Sequence, residues 1–350
     1  MQMRNFNLIN EYESIISNKN IINLITKIHE YKGKQSYLLD DKNTTLETLL
    51  KVAKIESTSS SNKIEGIYTT DKRIKEIVNN KTEPKNRNEE EIAGYRDVLS
   101  LIYENYNYID INKNTILQLH KYLYKYTGIS YGGKFKNSQN YIEEENENGE
   151  KKIRFTPMSP LETPIAIDEL CKNYNELVNN ESCDLLVLIP IFILDFLSIH
   201  PFNDGNGRMS RLLTLLLLYK ANYMVGKYIS IEKLIEQTKN SYYTSLEKSS
   251  ASWHNNKNDY SYFVEYYLGL ILNAYKELDS RITTIKKQTS YNRITDIFIN
   301  NIIPIDKSYI LNKCPDLSET TIERTLNKLL KENKITKISN GRYTNYKWNN

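Results

Sequence analysis

Apolar residues recur along most of the chain at intervals of three and four, the spacing that lines one face of a helix. Between residues 6 and 37 the marks are Ile22, Ile25 and Ile28, and after a polar break at 40–45 the pattern resumes with Leu46, Leu49, Leu50 and Ala53. Residues 71–88 are polar and read as a connection or a short helix. A helix over 89–103 would bury Ile92, Tyr95, Val98, Leu99 and Ile102. Two more are predicted over 112–126 and 161–177, the latter with Ile165, Ile167, Leu170 and Tyr174 inward. Residues 183–199 and 212–219 are strongly apolar, so both predict helices at the centre of the fold. A closing helix is expected around 262–272. Period-two alternation flanks Asn148-Gly149, predicting a hairpin over about 133–156, and runs 335–339 and 342–348 flank Asn340-Gly341, predicting a second. The fold class is mainly α.

Composition fills in the setting. At 350 residues and 39% hydrophobic, the chain has room for two or three domains. Its net charge of +4 is uneven: from Arg281 onward thirteen Lys or Arg face six Asp or Glu, leaving the rest near −3. The basic end is local. Cys171, Cys183 and Cys314 are odd in number and lack metal-ligand spacing, which fits a reducing, cytoplasmic setting. Residues 1–10 have no apolar leader core, and 185–199 is short and interrupted by Pro190 and Asp195. No membrane span is expected.

The chemistry concentrates in His200-Pro201-Phe202-Asn203-Asp204-Gly205-Asn206-Gly207-Arg208-Met209-Ser210-Arg211. Gly205, Asn206 and Gly207 let successive backbone N–H groups face one concavity, and the apolar run behind them places it at a helix N-terminus, where the dipole favours phosphate. Arg208 and Arg211, three apart, would share a helix face and both reach a polyphosphate. Asp204 repels a bare phosphate but suits a magnesium ion bridging phosphate oxygens. His200 has the pKa to accept a proton near neutrality. His29 reads as structural or exposed, His120 as structural and His254 as exposed.

The stretch resembles the signature of Fic-domain (Fic/DOC) proteins at every position. That resemblance implies a Fic helical bundle with a β-hairpin flap, and transfer of AMP from ATP to a protein Tyr, Ser or Thr hydroxyl. It implies His200 as general base, Asp204 as the Mg2+ ligand, Gly205 to Gly207 as the anion hole, and Arg208 and Arg211 on the phosphates. Ser61, Glu65 and Gly66 resemble the inhibitory motif that some Fic proteins carry ahead of the core, a short helix presenting its glutamate to the second arginine, here Arg211; the serine-rich run 57–61 otherwise reads as a linker. By the same likeness Tyr141 and Ile142 of the flap position the target, and Tyr242 and Tyr243 lie near adenine, packing between helices being the alternative. Lys136 stands where many relatives have arginine, losing a planar fork.

The expected organisation is an N-terminal helical region over 1–110 with the motif at 61–66, a catalytic core over 111–275, and a tail over 290–350. In the tail, helices over 294–302 and 308–312 and a third capped by Ser318 or Thr320, with Ile322, Leu326, Leu329 and Leu330 inward, precede the second hairpin. This resembles a winged helix-turn-helix. Partners implied are a protein substrate, the chain itself by self-modification, and a second copy in a homo-oligomer. Two other readings stand beside transfer: removal of AMP by the same site, and a DNA-binding regulator whose Fic domain senses nucleotide.

Overall fold

The most apolar runs do become the centre. The computed structural model describes residues 4–39, 44–145, 151–181, 183–286, 290–301, 303–314, 317–338 and 344–349. From the N-terminus it forms α1 (Leu8–Ile16), α2 (Lys19–Leu39), α3 (Thr44–Ile64), α4 (Asp71–Asn80), α5 (Arg87–Asn105) and α6 (Lys113–Leu123). Strands β1 (Ile142–Glu145) and β2 (Lys151–Phe155) follow, then α7 (Thr163–Asn179), α8 (Leu185–Ile199), α9 (Asn206–Lys220), α10 (Ile231–Gln237), α11 (Lys239–Ser250) and α12 (Ser261–Lys286). The chain ends with α13 (Ser290–Ile299), β3 (Ile305–Asp306), α14 (Lys307–Lys313), α15 (Glu319–Lys331), β4 (Ile335–Lys337) and β5 (Asn345–Trp348). Two compact units divide it: Met1–Ser36 with Leu49–Lys276, and Tyr37–Thr48 with Glu277–Asn350.

In the first unit α8 is buried on nearly every side and touches α1, α7, α9 and α11. Side chains of Thr70, Asn86, Asn112, Asp184 and Ser230 accept backbone N–H bonds at the starts of α4, α5, α6, α8 and α10. Each satisfies a donor the helix cannot. Asp195 lies fully buried on α8 and accepts from Trp253 Nε1 and Tyr260 at 2.7 Å each, with Arg4 3.5 Å away. Residues far apart in sequence are thus tied to α8 through one carboxylate, whose pKa burial raises. No helix among the described residues is long and apolar enough to cross a membrane.

Two expected core positions are corrected. Ile22 is 46% exposed because the inward stripe of α2 runs through Ile21 and Ile28, one position earlier. Ile165 is likewise exposed, while Ala166, Ile167, Leu170 and Tyr174 of α7 face inward. A third correction concerns the serine run, which is neither linker nor short helix: it forms the last turns of the 21-residue α3. Ser57, Thr58, Ser60, Ser61 and Asn62 are all buried there. Thr58 Oγ1 and Asn62 Nδ2 donate to carbonyls one turn back, which satisfies these two donors, while Asn62 Oδ1 is buried without a hydrogen-bond partner.

β1 and β2 pair antiparallel, Ile142 opposite Phe155, with a bulge between Ile142 and Glu143. The turn expected at Asn148-Gly149 lies outside the described residues. In the second unit α13, α14 and α15 enclose Ile294, Phe298, Ile310, Ile322, Leu326 and Leu329, and Ser318 caps α15. The strands form one antiparallel sheet in the order β3-β5-β4. β3 had no sequence signal, being two residues long. Asn340-Gly341 also lies outside the described residues.

Candidate functional site

His200 closes α8 with a left-handed backbone, φ 52°, and its N–H donates to Phe196 O at 3.0 Å. The chain reverses there and is locked by Asn206, whose side chain accepts from Phe202 N at 2.9 Å and donates to Phe202 O at 2.8 Å. Two residues from the base of the flap grip the same reversal. Lys136 donates from Nζ to Ile199 O at 3.0 Å and to Asn140 Oδ1 at 2.9 Å, and Asn140 Nδ2 donates to Phe202 O at 2.9 Å. Burial pushes Lys136 down to about 8. The lysine that replaces arginine therefore makes point contacts that need no fork.

The reversal delivers the chain to Gly205, φ 82°, from which α9 starts with no side chain capping its first turn. The first turn of this 15-residue helix therefore has no side-chain cap, and such a start, at the positive end of a helix dipole, is chemically able to receive an anion. His200 stands beside it. Its Nδ1–H donates to Leu197 O at 3.2 Å, so in the neutral ring Nε2 carries the lone pair. Burial pushes its pKa down to about 4, keeping that ring neutral.

His120 has the opposite tautomer. Its Nδ1 accepts from Gly133 N at 2.9 Å and its Nε2–H donates to Asp204 O at 3.1 Å, while the ring stacks on Phe202 at 3.7 Å. It is structural, as expected, and what it supports is the turn itself. The Asp204 carboxylate is half-exposed; Oδ1 accepts from Gly205 N and Oδ2 from Tyr124, each at 2.7 Å. Each oxygen retains lone-pair capacity, so the donor set fits a hard cation completed by phosphate and water oxygens. Among the described residues no three His, Cys, Asp or Glu gather as a metal cage, so such oxygens would be needed.

The two arginines do not share a task. Arg208 is fully buried, its Nη1 2.7 Å from Glu91 Oε2 on α5 and its Nη2 donating to Tyr124 at 2.7 Å. It does not line the cavity described below, and the buried Glu91 carboxylate pairs with it in this structure. Arg211 does face the cavity. It donates from Nε to Ser61 Oγ and from Nη2 to Ser61 O at 2.8 Å, and Nη2 meets Glu65 Oε1 at 2.7 Å. Gly66, φ 77°, ends α3, with Ile67 N bonded to Asn62 O in a six-to-one closure. Lys239 Nζ covers Ile64 O at 3.1 Å. Glu65 is thereby held close against α9: a Cβ on Gly207 would lie 2.2 Å from Glu65 Oε1.

A cavity of about 350 Å³ opens over these groups. His200, Glu65, Gly207 and Arg211 line it together with Glu143, Arg154, Ser198 and Ser250, and Tyr141 and Ile142 reach it from the flap. Leu194 and Leu197 of α8, Tyr242 and Leu246 of α11, and Phe155 supply apolar walls, with Tyr243 also present. Tyr242 is buried against Tyr243, Phe263 and Tyr266, so it both packs between helices and faces the cavity. His254 is half-buried, stacked on Phe155 at 5.5 Å and bonded to Thr156 O, which anchors the base of the flap. Sequence reasoning missed Tyr124, Glu91 and Asn140. Only Tyr124 left a signal: four residues after His120 on α6, it had to share that histidine's face.

The comparisons agree with this geometry. Residues 110–218 match the sequence model of the Fic/DOC family. Among solved structures, the chain is similar to a Fic family protein from Desulfovibrio desulfuricans, at 20% identity over 95% of this chain and 96% of that one, TM-score 0.66. It is similar to a Fic domain containing signaling protein from Bacteroides thetaiotaomicron, at 21% identity over 74% and 95%, TM-score 0.56. Fic-1 from C. elegans matches at 19% identity over 76% and 73%, TM-score 0.57. No curated protein matches. The match to the Fic/DOC family thus covers residues 110–218, and the mainly helical fold with a small antiparallel sheet is that of the Fic-family structures.

Proposed function

We propose that the chain is a protein adenylyltransferase whose own Glu65 holds it inactive. The observation that carries this reading is the Arg211 fork, occupied by Ser61 and Glu65 inside a cavity that also holds a neutral histidine with a free Nε2. A carboxylate on an arginine fork takes the geometry a terminal phosphate needs. ATP entering beside it would be turned away from in-line attack.

With Glu65 withdrawn, the first turn of α9 and Arg211 would cradle the phosphates, and the walls formed by Leu197, Tyr242 and Leu246 would take the base. A target segment would add to the flap as a strand, bringing its hydroxyl past Tyr141 and Ile142 toward His200. The hydroxyl oxygen attacks the α-phosphorus as its proton passes to His200 Nε2. The bond to the bridging oxygen of the β-phosphate breaks, and pyrophosphate leaves. Magnesium on Asp204 would neutralise charge on the departing phosphates.

The test is intact mass after incubation with Mg-ATP for the unaltered chain, Glu65→Gly, and Glu65→Gly with His200→Ala. Gain of AMP by Glu65→Gly alone, or far faster there, is the expected result. Equal gain by all three would refute both roles. No gain by any, together with release of AMP from an AMP-modified protein by the unaltered chain, would replace transfer with removal, in which Glu65 aims a water.

A further inference from the structure

We propose that Tyr124, held by Arg208 and Glu91, is a positioning residue that sets the metal-binding geometry of Asp204. The inference rests on the reading of Asp204 as the magnesium ligand and assigns the first motif arginine a task away from the phosphates. Tyr124 is 2% exposed and its hydroxyl lies at a junction of three bonds or contacts. It donates to Asp204 Oδ2 at 2.7 Å and accepts from Arg208 Nη2 at 2.7 Å. It also sits so close to the turn that a Cβ on Gly205 would lie 2.9 Å from it.

A hydroxyl has one proton to give. Because the Arg208 guanidinium can only donate, it commits the Tyr124 proton to the carboxylate and leaves no second rotor position of similar energy. Arg208 is itself fixed by Glu91 at 2.7 Å, and its Nη2 is 3.6 Å from Asp204 Oδ2, too far for a hydrogen bond. The order from the interior outward is therefore Glu91, Arg208, Tyr124, Asp204. With Gly205 N on the other oxygen, the half-exposed carboxylate is pinned at both ends, and its remaining lone pairs are aimed rather than free to swing. Outer partners of this kind orient a metal-ligating carboxylate, and losing one typically costs about tenfold or more in metal affinity.

The experiment compares ADP affinity with and without Mg2+ by calorimetry in the Glu65→Gly background. Tyr124→Phe is expected to reduce the Mg2+-dependent gain in affinity by about tenfold, with metal-free ADP binding nearly unchanged and a lower Tm, because Arg208 Nη2 loses its acceptor. Glu91→Gln, which keeps shape but releases Arg208, is expected to reduce that gain by a smaller factor in the same direction. An undiminished Mg2+ gain in Tyr124→Phe, while Asp204→Asn loses it, overturns this inference alone. An equal loss of metal-free ADP binding in Tyr124→Phe also overturns it, because packing would then be the role. An intact gain in Asp204→Asn overturns the metal reading itself, and this inference with it.

Discussion

Two helix starts in this molecule look alike in length and answer opposite purposes. α9, of 15 residues, begins at Gly205 with no side-chain cap and no acidic residue in its first turn. α15, of 13 residues, begins at Ser318, whose hydroxyl accepts from Thr321 N, and carries Glu319 in its first turn. Glu323 follows one turn on, and both carboxylates engage Lys307. The first start leaves donors for a guest anion; the second has satisfied its donors and set negative charge in front of them. A helix dipole is common to both, so the dipole alone would not make the proposed phosphate site. What would make it is the withheld cap, together with glycines that admit a close approach.

The largest effect tests whether the open start is held shut by Glu65. Removing a charge-assisted bond worth about 1.5–3 kcal/mol should raise AMP transfer by Glu65→Gly roughly tenfold to a hundredfold, read as initial rate of label incorporation. A rate equal to that of the unaltered chain would leave Glu65 without an inhibitory role.

Next in size is the glycine. In the Glu65→Gly background the clash between a Cβ at 207 and Glu65 is gone, so Gly207→Ala isolates the approach of phosphate to the first turn. ATP affinity is expected to fall about tenfold, the equivalent of one lost hydrogen bond to a charged group. Unchanged affinity would break the comparison, because the withheld cap alone would then suffice.

A third effect concerns the two imidazoles beside the open start, His120 buried and His200 half-buried at the cavity. Burial pushes His120 and His200 each to about 4, below the value near 6.5 of an unfolded chain. The stability this contributes is complete above about 6.5 and is lost as pH falls toward 4, because the unfolded chain takes up protons first. The urea midpoint should fall between pH 7 and 5, while kcat/KM of Glu65→Gly stays level there because the base remains unprotonated. A midpoint independent of pH would mean the rings are solvated.

The smallest effect lies at the closed start. Duplex DNA at low salt should show little affinity for the unaltered chain. Glu319→Gln with Glu323→Gln should raise it only a few-fold, by removing like charge and releasing Lys307. Tight, salt-dependent binding by the unaltered chain, lost on truncation after residue 276, would instead make the tail a DNA reader.

The sequence exposed some of this more readily than the rest. The turn from His200 to Arg211 was readable because its residues are contiguous and gather a histidine, a carboxylate, glycines and two arginines that apolar packing alone would not call for. Helix centres were readable where burial is complete, as in α8. The phase of α2 was not, since Ile21 and Ile22 are both apolar and only packing chooses between them. The pairing of Arg208 was not legible because its partners, Glu91 and Tyr124, stand on helices distant in sequence, and Tyr124 is one of 28 tyrosines. Helical spacing places two side chains on one face; it does not say which will be claimed from the interior. The buried serines of α3 were ambiguous for a related reason: small polar residues suit a loop, and suit equally a helix that must approach another structure closely.

His200 holds a left-handed backbone that glycine or asparagine would adopt more readily. A side chain there costs on the order of 1 kcal/mol in folding, so the imidazole is kept against the preference of its own peptide unit. A lineage that ceased to use the reaction would be drawn toward glycine at this position, gaining Tm as it lost chemistry. Sequences of this architecture selected only for folding would therefore drift first at the residue proposed to accept the proton.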